Sequence, residues 1–299
     1  MQNVIKMKIK VQWMVVLFSI AMMISCNKDA YMPNNPPTYI ELGSGDATYG
    51  GKNDDQPLLA TLKVMSYNIH ILNPPSKPGQ TDIAATAKVI NDAKPDIVFL
   101  QEVDKNTGRN GYTGDQAKDL AALTKMNFIF YSSIPVGRGM YGVALLSKYP
   151  LKSIKKFPLT KENATDEQRV LGTATIDLPG IDSITVAATH LQHNSASGRI
   201  KQLKDITNLL GPIRGRLIIA GDLNEFESST DFFSIFDAMF TRTCKGNCPP
   251  TFSAQLPKSV IDYIAFKPSN AFTINSHKTI NESYASDHLP VMAELNFSR

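Results

Sequence analysis

The chain has 299 residues, 42% of them hydrophobic and 19% charged, the balance of a soluble globular core. Of its formal charge of +4, three lysines (Lys6, Lys8 and Lys10) fall in residues 1–25, which hold no acid, leaving +1 for the rest. A body this close to neutral has no global field for gathering polyanions, so composition gives no support to nucleic-acid binding driven by net charge.

The three lysines precede the apolar run "VVLFSIAMMI" (Val15–Ile24), and the stretch Val11–Ser25 is too short for a comfortable membrane span. Residues 1–25 therefore read as a signal peptide, which would remove Trp13, the only tryptophan. "MISC" places Cys26 after the small Ser25 and resembles a bacterial lipobox. That resemblance implies a lipidated Cys26, membrane attachment, and residence in the bacterial cell envelope, at an outer membrane facing the periplasm or the surface. The other reading is an ordinary secretory signal with a chance cysteine. Acyl chains contribute about 0.8 kcal/mol per buried CH₂, so several would hold the protein firmly.

Residues 26–59 are rich in Pro, Gly, Asn and Asp with no apolar period, and are expected to be a flexible tether. Residues 60–299 read as one domain. In chain order its strand-like runs are "ATLKVMSYNI", "DIVFLQEV", "YGVALLSKYP", "LGTATIDL", "SITVAATHLQ", "RLIIAGDLN", "VIDYIAF" and "PVMAELNF". "TDIAATAKVINDAKP" is a helix in which Thr81 can cap, Ile83, Ala87 and Ile90 share a face, and Pro95 closes. "DQAKDLAALTKM" is a second helix. "GRIKQLKDITNLLGP" is a third, with Ile200, Leu203, Ile206 and Leu210 at helical spacing and Gly211–Pro212 as the stop. Many strands with few helices predict packed sheets flanked by helices rather than a doubly wound parallel sheet. Cys244 and Cys248, in "CKGNC", are expected to form a loop disulfide, two free thiols being the alternative.

Polar residues of one kind recur where the apolar strands end: Asn68 and His70, Glu102, His190, Asp222 and Asn224, Asp262, then Asp287 and His288. A core strand has no structural need for such a rim, so these residues are candidates for one site gathered from neighbouring strand ends. Asp222 and Asn224 are two apart and would share a face if the strand stays extended. Asp287 and His288 are adjacent and would point to opposite faces. The ordered motifs "SYNI", "LQEV", "THL", "GDLN", "IDYI" and "SDHLPV" resemble the endonuclease/exonuclease/phosphatase superfamily over Leu62–Phe297.

The resemblance implies an α/β fold, a four-layer α/β/β/α sandwich of two mixed sheets (deoxyribonuclease I-like), and a phosphoesterase. It makes Glu102 the principal metal carboxylate, with Asn68 completing that side or holding Glu102, and Asp287 facing the same centre. Asp222 would orient or deprotonate water, and Asn224 would hold a phosphate oxygen. His190 would contact the phosphate and protonate the leaving oxygen. His288 would be a second imidazole partnered by Asp262. Hydrolysis of an anionic ester needs charge neutralisation and an oriented water, which suits Mg²⁺ held by a few carboxylate oxygens, with Mn²⁺ as a substitute. No cysteine cluster or H-x-x-x-H helix argues for zinc.

"SYNIH" puts His70 where the AP-endonuclease branch has an acid or an amide, leaving His70 as a ligand or a rim residue. Arg109, Tyr112 and Gln116 are weaker pocket candidates, and His193 and His277 read as surface residues. The expectation is a monomeric, lipid-anchored, Mg²⁺-dependent hydrolase of small phosphodiesters or phosphomonoesters, lipid head groups included. An extracellular nuclease is the alternative, with nucleic acid as a partner that the charge does not favour. A non-catalytic surface-binding lipoprotein is the third reading.

Overall fold

The computed structural model describes residues 40–44 and 54–299. The expected signal peptide, Cys26 and most of the expected tether lie outside the described residues. Numbered in chain order, the strands form two sheets. In spatial order, the first holds β1 (Ile40–Ser44), β4 (Asn127–Val136), β5 (Gly139–Ser147), β3 (Ile97–Lys105), β2 (Thr61–Asn68), β13 (Val291–Phe297) and β12 (Phe272–Thr279). The second holds β10 (Thr241–Arg242), β11 (Asp262–Lys267), β9 (Leu217–Asp222), β8 (Asp182–His190), β7 (Val170–Leu178) and β6 (Leu151–Pro158). Both are mixed, with β2–β3 parallel in one and β8–β9 parallel in the other.

The helices are α1 (Ile83–Ala93), α2 (Gln116–Thr124), α3 (Ala196–Leu210) and α4 (Thr230–Met239). Alternation along each strand sorts the apolar side chains into layers. Leu62, Val64, Phe99 and Val291 of one sheet meet Ile184, Val186, Ile218 and Ile264 of the other between the sheets. Met65, Val98, Leu100 and Phe130 point outward onto Ala87 and Ile90 of α1 and Leu120 of α2. Leu171, Ala187 and Ile219 point the other way onto Leu203 and Ile206 of α3 and Phe236 of α4. Each buried Val, Leu, Ile, Phe or Met among them contributes about 1.5–3 kcal/mol. This is the expected four-layer α/β/β/α sandwich.

Three local expectations are corrected. Asp82, not Thr81, caps α1, its carboxylate accepting the Ala85 N–H at 3.0 Å; a carboxylate there also complements the helix dipole. Ile40–Ser44, inside the expected tether, pairs antiparallel with β4 as an edge strand, because the free edge of β4 offers unpaired backbone donors and acceptors. β9 ends at Asp222, and Asn224 turns into the left-handed region at φ 50. It is a turn, not strand alternation, that keeps Asn224 beside Asp222, with the Asn224 N–H donating to Asp222 Oδ1 at 2.8 Å.

Candidate active site

Asn68, His190, Asp222 and Asp262 continue the inward-facing series of four strands. Beyond Leu62, Val64 and Ser66 the next inward position is Asn68; beyond Ile184, Val186 and Ala188 it is His190; beyond Ile218 and Ala220 it is Asp222. Asp262 begins the series Asp262, Ile264, Phe266. Register then brings three of them together, since Asp222 pairs with His190 across β8–β9 and with Asp262 across β9–β11. The glycine of "GDLN" follows from the same pairing, because a Cβ on Gly221 would sit 2.0 Å from the Thr189 carbonyl oxygen.

Glu102 needs a different device. Simple alternation after Phe99 and Gln101 would turn Glu102 toward the helices. A bulge in β3 between Leu100 and Val103, with Glu102 at φ 55, keeps Val103 in the outer layer and brings Glu102 to the cleft. Positive φ at a non-glycine residue costs roughly 1–3 kcal/mol, and the packing of β3 between β2 and β5 sustains it.

The cleft has a volume of about 340 Å³ and is lined by Glu102, His190, Asp222, Asn224, Asp287 and His288, together with Tyr141, Glu167, Arg169, His193, Phe252 and Ile261. Asn68 lies behind it, fully buried, its Nδ2 donating to Glu102 Oε1 and Asp222 Oδ2, both at 3.1 Å. Asn68 Oδ1 accepts the His70 N–H at 3.1 Å. Of the two roles expected for Asn68, these bonds fit holding Glu102.

His288 Nδ1 donates to Asp262 Oδ2 at 2.9 Å, and its ring packs against Phe252 at 4.8 Å between centroids. Asp287 instead lies beside Ser286 Oγ (3.4 Å) and His70 Nδ1 (3.9 Å). The adjacent residues therefore serve different partners, but both lie ahead of β13, which begins at Val291, so it is the turn before the strand and not strand alternation that parts them. His190 Nε2 lies 3.0 Å from Asn224 Nδ2 and 3.5 Å from Asp222 Oδ2.

The two imidazoles are poised oppositely. Burial alone would lower His288, but the Asp262 carboxylate, helped by Asp222 and Asp287, raises it to about 10. Burial drives His190 well below the usual range, with Arg169, His288 and His193 adding to it. The imidazolium of the site is thus His288, and His190 is a neutral ring rather than a resident proton donor. Burial and the neighbouring Asp262 push the Asp222 carboxyl up to about 7, against the pull of His288 and its hydrogen bonds.

Glu102 and Asp287 supply hard oxygen donors in one cleft, and among the described residues no lysine or arginine pairs with either. That donor set, free of thiolate, fits Mg²⁺ or Mn²⁺. Oxygens of Asp222 and Asp262 and a His288 nitrogen also converge within 4.8 Å of one another. The Asp262–His288 hydrogen bond already occupies two members of that group.

Other expectations are placed as follows. Cys244 and Cys248 form a disulfide with Cα atoms 5.7 Å apart. His70 is half-buried, with Nδ1 bonded to the Asn73 carbonyl at 2.8 Å, and it does not line the cleft. Gln116 braces Ile71 O and the Asp104 N–H (both 2.8 Å), Tyr112 bonds Asp119, and Arg109 pairs with Asp104. None of these three lines the cleft, because each is spent on bonds within β3, α2 and the turns beside them. His277 is half-buried, its Nδ1 2.8 Å from Thr243 Oγ1, and burial lowers it to about 4. His193 is exposed as expected, yet it stands at the cleft beside Arg169, 3.4 Å from Nη2.

Tyr141, Glu167, Arg169 and Phe252 were not legible as site residues. Arg169 carried the one available signal, a charged residue abutting the apolar run of β7; it is buried, paired with Glu167 at 3.1 Å and bonded to Gln192 at 3.3 Å.

Carboxylates, amides and imidazoles are pooled at the strand ends of a two-sheet sandwich. The model of the Endonuclease/Exonuclease/phosphatase family matches residues 65–288, and the chain belongs to that family, whose members are hydrolases acting on phosphate esters. No curated protein sequence matches the chain. Among solved structures, an endonuclease/exonuclease/phosphatase from Beutenbergia cavernae is similar at TM-score 0.69 and 26% identity, over 80% of this chain and 72% of that one. A mannosyl-6-phosphatase from Bacteroides thetaiotaomicron is similar at 0.64 and 18%, over 79% and 100%. The human nocturnin catalytic domain is similar at 0.62 and 18%, over 88% and 99%.

Proposed function

We propose that this protein is a divalent-cation-dependent hydrolase of small phosphodiesters or phosphomonoesters, lipid head groups included, acting as a monomer held at the cell envelope through Cys26. The observation that carries the reading is the convergence of Glu102, His190, Asp222, Asn224, Asp287 and His288 on one cleft. The cleft's size suits a small ligand. With the cation held by Glu102 and Asp287, the charges of Arg169 and His288 offset Glu167 and Asp222, which leaves the cleft near neutral and able to admit one phosphate.

Glu102 and Asp287 would hold Mg²⁺ or Mn²⁺, with Asn68 orienting Glu102. Bound there, the cation would neutralise phosphate charge as a Lewis acid. Asp222, raised to about 7, is matched to taking a proton from water at neutral pH. Asn224 Nδ2 donates to the Leu191 carbonyl and faces His190 Nε2 at 3.0 Å, so a phosphate oxygen would take the N–H now turned to that neutral ring. The His288 imidazolium, held by Asp262, stabilises negative charge as it develops at phosphorus.

The test is turnover by purified protein with Mg²⁺ or Mn²⁺ on bis(p-nitrophenyl) phosphate, p-nitrophenyl phosphate, mannose 6-phosphate, sphingomyelin and duplex DNA. Hydrolysis of the small esters is expected, and Glu102→Ala or His288→Ala should abolish it. No turnover of any member refutes the enzyme reading. DNA cleaved in preference to every small ester refutes the substrate class.

A further inference from the structure

Two segments carry residues that face each other in the cleft: His190–His193 after β8 and Asp222–Glu225 after β9. Close to the strands they are tied directly. The Leu191 N–H donates to the Asp222 carbonyl at 3.0 Å, and Asn224 Nδ2 donates to the Leu191 carbonyl at 3.1 Å. Beyond those ties both segments are gripped from behind by Arg199 of α3. Its Nε donates to Glu225 Oε2 at 2.8 Å, while Nη1 donates to the carbonyls of Gln192 at 3.0 Å and His193 at 3.2 Å. Arg199 is 7% exposed and Glu225 4%. One helical turn on, Gln202 Oε1 accepts the Gln192 N–H at 2.9 Å. From the other side, Tyr263 Oη donates to the Glu225 carbonyl at 3.0 Å. Neither Arg199 nor Glu225 lines the cleft.

We propose that Arg199 is a positioning residue, its guanidinium fixing the separation of these two segments so that His190 and Asn224 meet the same phosphate group, with Glu225 as its counter-charge. The proposal rests on the phosphoesterase reading above. A planar guanidinium directs donors to a carboxylate on one edge and to two carbonyls on another at once. An ammonium group has no such fork. A buried ion pair is weak evidence for stability, since an apolar replacement of both partners is often neutral. The bonds to two backbone carbonyls of the His190 segment are what a purely stabilising pair would not need. Misplacing a reacting constellation by about 1 Å costs on the order of a hundredfold in rate.

The test compares Arg199→Lys, Arg199→Met and the double variant Arg199→Met/Glu225→Gln with wild type. Lys201→Ala serves as a control on the exposed side of the same helix. The readouts are Tm, kcat and KM on bis(p-nitrophenyl) phosphate, and amide hydrogen exchange over residues 190–194 and 222–226. Arg199→Lys is expected to stay folded, exchange faster in both segments, and lose about tenfold in kcat with KM within about twofold. Arg199→Met loses Tm and about a hundredfold in kcat, because it also strands a buried carboxylate. The double variant regains Tm but not kcat, since no unpaired charge remains while the clamp is still missing. Wild-type kcat in the double variant, or in Arg199→Lys, overturns the proposal. If wild type turns over no phosphate ester, the phosphoesterase reading fails, and exchange decides the clamp alone: unchanged exchange in Arg199→Lys refutes it.

Discussion

Replacing Asp262 by asparagine removes one charge from a buried pair at the cleft while keeping its shape. Asp262 is 2% exposed and His288 4%, joined at 2.9 Å. The carboxylate overcomes the penalty of burial and lifts His288 from 6.5 to about 10. At about 1.4 kcal/mol per unit this corresponds to a few kcal/mol, of order 5 at most, favouring the protonated ring in the folded protein. Asp222, raised by burial and by Asp262, offsets part of it. Because the folded value lies above the unfolded one, this stability is fully present below about pH 6.5 and is lost as pH rises toward 10. The Asp262→Asn penalty should therefore be large at pH 6 and fade by pH 10, read by urea unfolding across that range.

In an NMR titration of metal-free protein the His288 ring should titrate near 10 in wild type and fall to or below 6.5 in the variant. With cation present, kcat on an aryl phosphodiester should drop about 10²–10³-fold at pH 8, the scale of losing one preorganised charge-stabilising group. The drop should be smaller at pH 6, where part of the variant population regains the ring proton. A His288 titration unmoved by the substitution, or a stability loss that grows toward pH 10, would refute the reasoning.

Glu102→Gln should keep the fold and the bond from Asn68 but lose cation binding. Wild type should gain about 2.7 kcal/mol of stability at a hundred times the dissociation constant of Mg²⁺ or Mn²⁺; the variant should gain none, by thermal scans with chelator and with cation. An equal gain in both proteins removes Glu102 from the metal site. Leu203→Ala, at a fully buried position beneath the second sheet, should cost about 2–5 kcal/mol in urea unfolding. A cost under about 1 kcal/mol would mean that α3 is not anchored as described.

Most of the sandwich was legible because its central strands are apolar runs bounded by turns, and its first three helices carry an apolar face at helical spacing. What escaped was of two kinds. β6 and β12 lie at sheet edges and expose lysines and polar side chains, so neither shows a buried run. β4, in "NFIFYSSIPV", and α4, in "TDFFSIFDAM", are ten residues each and rich in aromatics without a clean alternation, where periodicity does not separate strand from helix.

The sequence by itself determined the chemical inventory: which strand ends carry acids, amides and imidazoles, and the family to which their order belongs. Their types are set residue by residue. Tertiary structure decided the rest. The partner of His288 comes from strand register, which no local pattern encodes. Glu102 reaches the cleft only through a bulge with a positive φ, and Asn224 stays beside Asp222 through a turn. Arg169 joined the cleft, and Arg199 the segments behind it, because packing left their charges buried, and buried charge must find partners from whatever chain the fold brings near.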